Sequence, residues 1–236
     1  MKQNKIILLI LIFFNCFVSQ AQNCTIKDVL EKTIIQDVKY SESKEDVNLE
    51  SVLRYDQHEF IGFIGHKKKR LRINFTSIII DDETKKLFFV KGATTVRNTN
   101  LRSFSGSFTV KNHFVFLEPI DDYAINKKGK YGFSILEYTL AEDPRLCFTG
   151  TFNGKILVCW YKDEEGNTTY CDLFDGYDGS RNYQFIGTWT SYKTNNSSIC
   201  NWGQYRIPCS GDLDVGASEF MPNPKYNNVG WGDYVP

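Results

Sequence analysis

The sequence predicts an all-β fold: an antiparallel up-and-down β-barrel or strongly curled sheet of about ten strands, with a short N-terminal helix and an irregular, disulfide-stapled C-terminal segment. Three observations predict it. From His58 to Tyr192 apolar and polar residues alternate, with Leu71, Ile73 and Phe75 set against Arg72, Asn74 and Thr76, and Tyr131, Phe133 and Ile135 set against Gly132 and Ser134. A period of two belongs to strands. Turn chemistry interrupts the alternation at Asp81-Asp82-Glu83, Asn98-Thr99-Asn100, Lys111-Asn112, Asn153-Gly154 and Asp175-Gly176. These connections are too short for crossover helices, so neighbouring strands run antiparallel. Finally, Phe-x-Gly-x-(large apolar) occurs four times: Phe60 to Ile64, Phe104 to Phe108, Phe148 to Phe152 and Phe185 to Trp189. A Gly between two bulky groups on one strand face weakens the strand but lets a sheet bend or a second backbone approach.

Taken in chain order, residues 1–21 carry Lys2 and Lys5, an apolar run from Ile6 to Phe14 and then Ser19-Gln20-Ala21. This is the order of a secretory signal peptide cut after Ala21, and its apolar part is well short of the ~20 residues of a membrane span. The expected location is secreted or periplasmic, with no membrane span once the signal is removed. Cleavage takes away two positive charges and no acid, leaving a net charge of −2. That balance gives no general attraction to nucleic acid or anionic membranes.

In residues 25–38, Ile26, Val29, Leu30, Ile34 and Val38 recur at helical spacing after Thr25-x-x-Asp28, a capping-box pattern, so a short helix opens the mature chain. Residues 39–57 read as a polar connector, with a turn of helix expected around Glu50 to Leu53. Strands are expected at 58–64, 70–80, 86–96, 101–110, 113–118, 131–140, 145–152, 155–162, 168–174 and 183–192. Asn153-Gly154 is read as a two-residue hairpin turn, which puts Cys147 and Cys159 on opposite faces and argues against a bridge between them. Residues 193–236 lose the alternation but keep Trp202, Tyr205, Phe220, Trp231 and Tyr234, which suits an irregular segment pinned onto the barrel. The organisation is therefore signal peptide 1–21, helix and connector 22–57, β-domain 58–192 and C-terminal segment 193–236.

Six cysteines remain after cleavage: Cys24, Cys147, Cys159, Cys171, Cys200 and Cys209. An even count in an exported chain reads as up to three disulfides. Cys200 and Cys209, close together in a loop-like stretch, are the favoured pair.

Chemistry is written more faintly. His58, His66 and His113 are the mature chain's histidines, and none has the spacing of a zinc site. There is no Gly-x-Ser-x-Gly, no phosphate loop and no Cys-x-x-Cys. No catalytic residue is assigned. Asp172, Asp175 and Asp178 lie in a glycine-containing, oxygen-rich loop that is able to wrap calcium, and they are the candidate metal ligands, although Asp-Gly is equally a turn signal. The run from His66 to Arg70 is the densest positive cluster. Lys67, Lys68 and Arg70, together with Trp202 and Trp231 as surface or mouth-covering aromatics, are the candidate ligand- or partner-binding residues.

Gly187-Thr188-Trp189 resembles the Gly-x-Trp element of the calycin group, the lipocalin- and avidin-type secreted β-barrels. In lipocalins the element sits on the first strand beside a short N-terminal helix; here it falls on the last expected strand. The resemblance implies a ligand-holding barrel and carries over no ligand residue. The function expected is a non-enzymatic binding module for a small ligand, glycan or envelope partner. Two alternatives stand beside it: an inhibitor or immunity-type factor acting through residues 193–236, and a hydrolase using rim carboxylates.

Overall fold

The computed structural model describes residues 24–33, 39–54, 59–117, 129–171, 182–217 and 219–235. The expected signal peptide and the Asp172, Asp175 and Asp178 loop lie outside them. The described chain is antiparallel β with short helices: α1 (Ile26–Thr33), β1 (Tyr40–Ser43), α2 (Glu50–Leu53), β2 (Phe60–Ile64), β3 (Lys69–Ile80), β4 (Leu87–Val96), β5 (Thr99–Phe116), β6 (Gly129–Glu142), β7 (Gly150–Asp163), β8 (Thr168–Tyr170), β9 (Gln184–Ser191) and β10 (Ser197–Gly203). Two 3-10 helices follow, at Gly211–Leu213 and Pro224–Val229.

The strands form one curled sheet whose ends meet. In the order β2-β3-β4-β5-β6-β7-β9-β10 each strand pairs with the next, β10 pairs back onto β2, and all these ladders are antiparallel. Strand β1 joins the far end of β5, and β8 adds to β7. The alternation read from the sequence determines which side chains point inward. Phe60, Leu71, Ile73, Phe75, Phe88, Phe104, Phe108, Leu136, Tyr138, Leu140, Phe152, Ile156, Phe185 and Trp202 fill the lumen as one cluster. Tyr183, Phe185 and Trp202 stack through it, with centroids 5.3 and 4.9 Å apart.

Three of the four Phe-x-Gly-x repeats place both bulky groups inside the ring with the Gly between them. The glycines act by close strand approach. A Cβ on Gly62 would lie 2.4 Å from the Trp202 Cβ, and one on Gly187 would lie 2.1 Å from the Asn153 carbonyl and 2.6 Å from the Tyr138 hydroxyl. These positions give up side-chain volume so that Trp202 and Tyr138 can lie across the lumen. The third repeat departs from the pattern: Phe148 precedes its strand, has φ +59° and is 83% exposed.

Asn153-Gly154 is not a hairpin turn. Both residues lie inside the continuous strand β7, where Gly154 faces Gly187 across the ladder and Asn153 points outward to accept a 2.9 Å hydrogen bond from the Thr139 hydroxyl. A turn dipeptide is here a small residue beneath the Tyr138 ring. Likewise Lys111-Asn112 is a bulge within β5 rather than a turn, because the chain on both sides keeps pairing with β6. The segment after Tyr192 is not wholly irregular: Ser197–Gly203 is the strand that closes the ring.

One end of the ring is plugged. Val47, Leu49, Val52 and Leu53, in and before α2, join the lumen cluster, and the Tyr183 hydroxyl donates to the Leu53 carbonyl at 3.2 Å. Helix α1 lies outside, with Val29 in a second cluster beside Phe133, Leu157 and Ile186. The expected capping box holds its N-terminus: the Thr25 amide and hydroxyl donate to Asp28, whose amide returns a bond to the Thr25 hydroxyl.

The disulfide joins Cys24 to Cys209, with Cα atoms 5.9 Å apart, in place of the expected Cys200–Cys209 pair. Strand geometry excludes the latter. Cys200 pairs with Gly187 and Ile64 and faces the lumen, whereas Cys209 lies beyond the end of β10, in the outer segment.

Candidate functional site

The end of the ring opposite α2 is open. There the β2–β3, β4–β5, β6–β7 and β9–β10 connections surround a pocket of about 780 Å3, lined by Ile64, Val96, Phe148, Phe152 and Trp189 as its apolar walls. That volume falls within the range of small-molecule sites. The lumen below is filled, since Phe108, Phe185 and Trp202 have no exposed surface, so the pocket is a mouth and not a through-channel.

Its floor is built around Glu142, the last residue of β6, which register turns inward; it is 4% exposed. One carboxylate oxygen accepts from the Thr94 hydroxyl on β4 at 2.8 Å. The other accepts from the Gly150 amide on β7 at 2.9 Å and from the Trp189 indole on β9 at 3.0 Å. A buried carboxyl needs such donors, and these three tie strands from opposite sides of the ring to one point. The Glu142 carbonyl in turn accepts from the Tyr192 hydroxyl at 3.2 Å. Trp189, the aromatic of the Gly-x-Trp element, is thereby fixed as a wall of the mouth.

The rim is basic. His66 and Lys67 stand in the β2–β3 turn, Arg97 in the β4–β5 turn, and Lys69 and Arg102 point inward at the mouth ends of β3 and β5. Arg102 donates to the Leu101 and Cys147 carbonyls and Arg97 to the Asn228 carbonyl. Among the described residues no carboxyl group pairs with any of these five. Beside the basic groups, Leu101 and Leu146 are exposed, as is Phe148.

The residues singled out in the sequence disperse. Lys67 reaches the mouth. Lys68 turns outward over the Phe63 ring and donates to the Ser210 carbonyl at 3.1 Å, and burial lowers its pKa. Arg70 is buried against the C-terminal segment, 3.0 Å from Asp233 and over the rings of Trp231 and Tyr234; burial pulls its pKa down while Asp233 opposes. Trp202 and Trp231 are not surface aromatics. Trp202 lies in the lumen because it belongs to β10, and Trp231 anchors the outer segment beside Phe220 and Ile61, donating to the Lys68 carbonyl at 2.7 Å.

Sequence reasoning missed Glu142, Thr94 and Trp189 as a set. The sequence signal was a Glu at the inward parity of its strand, following Leu136, Tyr138 and Leu140. Burial, and then the nearby Glu142, hold the Cys200 thiol well above its ordinary range. No group of three or more His, Cys, Asp or Glu side chains able to hold a metal occurs among the described residues. Comparison with protein-family models, with curated proteins and with solved structures finds no match to this chain.

Proposed function

We propose that this chain is an exported binding protein that takes a small ligand into the open mouth of its curled sheet. The observation that carries the reading is the pocket of about 780 Å3 whose floor is braced by Glu142 from three other strands. Pre-organisation of this kind reduces the ordering cost of binding. Walls of Phe148, Phe152 and Trp189 provide apolar area, and the filled lumen confines the ligand to the mouth. Of the described residues lining the pocket Glu142 is the one carboxyl, and its oxygens are engaged, which favours binding over two-carboxylate hydrolysis. Export is supported by the charged, apolar and small-residue order of residues 1–21 and by a disulfide using Cys24, just after the expected cleavage point.

The test is a fluorescence and thermal-shift screen of lipids, glycans and other small molecules, run on the protein and on a Trp189→Phe variant. Ligands of the mouth raise the melting temperature of both proteins and change the emission only where Trp189 is present. A panel without a hit in either readout, or hits whose optical signal survives Trp189→Phe unchanged, would sink the reading.

A further inference from the structure

We infer that the ligand of the mouth is a small organic anion: a short apolar body seated against Phe148, Phe152 and Trp189, with a carboxylate, sulfate or phosphate head held by the rim. The inference rests on the proposed ligand-binding reading and assigns its chemistry.

Charge arrangement is the first ground. Lys67, Lys69, Arg97 and Arg102 surround the opening beside His66, and none of the four cations forms an ion pair with a described carboxyl group. Elsewhere on this chain basic side chains are commonly paired, as Arg72 with Glu59, Lys111 with Glu137 and Lys130 with Glu45. Clustered like charges repel one another, and an anion placed among them relieves that repulsion while gaining attraction from each. Lys69 and Arg102 are the more telling pair. Both occupy inward positions of their strands, opposite Ile64 and Thr94, where the alternation elsewhere places apolar groups.

Glu142 does not supply the counter-charge at the rim. It lies beneath, 4% exposed, with its two oxygens directed to Thr94, Gly150 and Trp189. Its effect is to keep the Trp189 ring in the wall and to discourage an anionic head from going in first. The polarity of the bound molecule follows: apolar end down, head at the opening.

The third ground is Phe148. It lines the pocket while 83% exposed, and it is held at φ +59°, a left-handed conformation that ordinary residues seldom adopt. The Thr149 hydroxyl donates to the Leu146 carbonyl at 2.8 Å and Arg102 donates to the Cys147 carbonyl at 3.1 Å, so the loop is braced with Phe148 exposed at the mouth. An apolar group presented at such exposure beside cations matches a molecule that is apolar in its body and anionic at its end.

The experiment compares decanoate, decyl sulfate and decyl phosphate with decanol and decyltrimethylammonium, all below micelle formation, by calorimetry and Trp189 fluorescence at low and high salt. Anions are expected to bind about tenfold or more tightly than decanol, with the advantage shrinking as salt rises. The order among the three heads separates a carboxylic acid from a sulfate or phosphate ester. In Lys67→Glu/Lys69→Glu the preference for anions should vanish while decanol affinity stays, whereas Lys91→Glu, exposed on β4 away from the mouth, should keep it. Decanol binding as tightly as the anions, tightest binding by the cation, or indifference to the double charge reversal would each overturn the head-group assignment and leave the mouth as a ligand site. Failure of all five probes overturns the assignment too, and the broader screen then decides whether the mouth binds anything.

Discussion

Replacing Glu142 separates a structural brace from a surface carboxyl. In Glu142→Ala three donors lose their acceptor: the Thr94 hydroxyl, the Gly150 amide and the Trp189 indole. A net hydrogen bond to a charged group contributes about 1.5–3 kcal/mol, and a buried donor left unpaired costs about 1–3 kcal/mol. Three full losses would exceed 4 kcal/mol on that scale. The pocket above, however, admits water, which can rehydrate the amide and the indole, so the expected destabilisation is about 2–4 kcal/mol. Glu142→Gln keeps one carbonyl oxygen for Gly150 and Trp189, and the Thr94 hydroxyl can rotate to accept from the new amide; about 1 kcal/mol is expected. Urea unfolding followed by circular dichroism gives both values if the slope stays constant. An Ala variant within ~1 kcal/mol of the parent, or a Gln variant as unstable as Ala, would refute the reasoning, since both require that the three bonds carry no net stability or that charge alone matters.

The other predictions concern the frame. Gly187→Ala forces a Cβ to 2.1 Å from the Asn153 carbonyl, where backbone must shift, and should cost about 1–3 kcal/mol or more by urea titration; Gly232→Ala, which asks the Asn227 Cβ at 3.3 Å to give by only a few tenths of an ångström, should cost clearly less. Cys24→Ser opens a loop of 185 residues, and a loss of about 2–5 kcal/mol is expected, read as a drop in the denaturation midpoint matched by adding reductant to the parent protein. Burial, aided by Lys86 and opposed by Asp46, lowers the pKa of His113, whose Nδ1 lies 2.7 Å from the Ser134 hydroxyl. The folded state then binds fewer protons than the unfolded one. Stability is complete above the ordinary histidine range near pH 6.5 and declines as pH falls through it, a slope that His113→Gln should flatten in pH-resolved melting.

What was legible depended on whether a signal was local. Alternation in residues 70–80 and 131–140 is a property of each strand alone, and both strands form at nearly those bounds. Thr25-x-x-Asp28 and the turn of helix at Glu50 to Leu53 are equally local and were equally readable. Asn153-Gly154 misled because turn chemistry and lumen space call for the same small residue; only the position of Tyr138 on the next strand tells them apart. The Cys24–Cys209 bridge joins residues 185 apart in the chain and carries no spacing signal. Glu142 was hidden for the same reason: its donors stand on β4, β7 and β9, and a linear reading sees an acid at the end of a strand beside Asp143. The basic run from His66 to Arg70 was found as a cluster, but the parity of the β2–β3 hairpin, which sends Lys69 inward and Arg70 outward, divides it into mouth and anchor.

Strand β10 closes the ring by joining β2, the first strand of the ring, to β9, the strand just before it: Cys200 meets Gly187 on one side and Ile64 on the other. Until that strand is in place, β2 and β9 present two unpaired ladder edges, one of them reading Phe-Ile-Gly-Phe-Ile. Exposed apolar edges of this kind recruit other chains. A chain cut short before Ser197 therefore faces association through these edges as well as the loss of a strand, and Cys209, lying just past β10, ties the exit of the closing strand covalently to Cys24 at the start of α1.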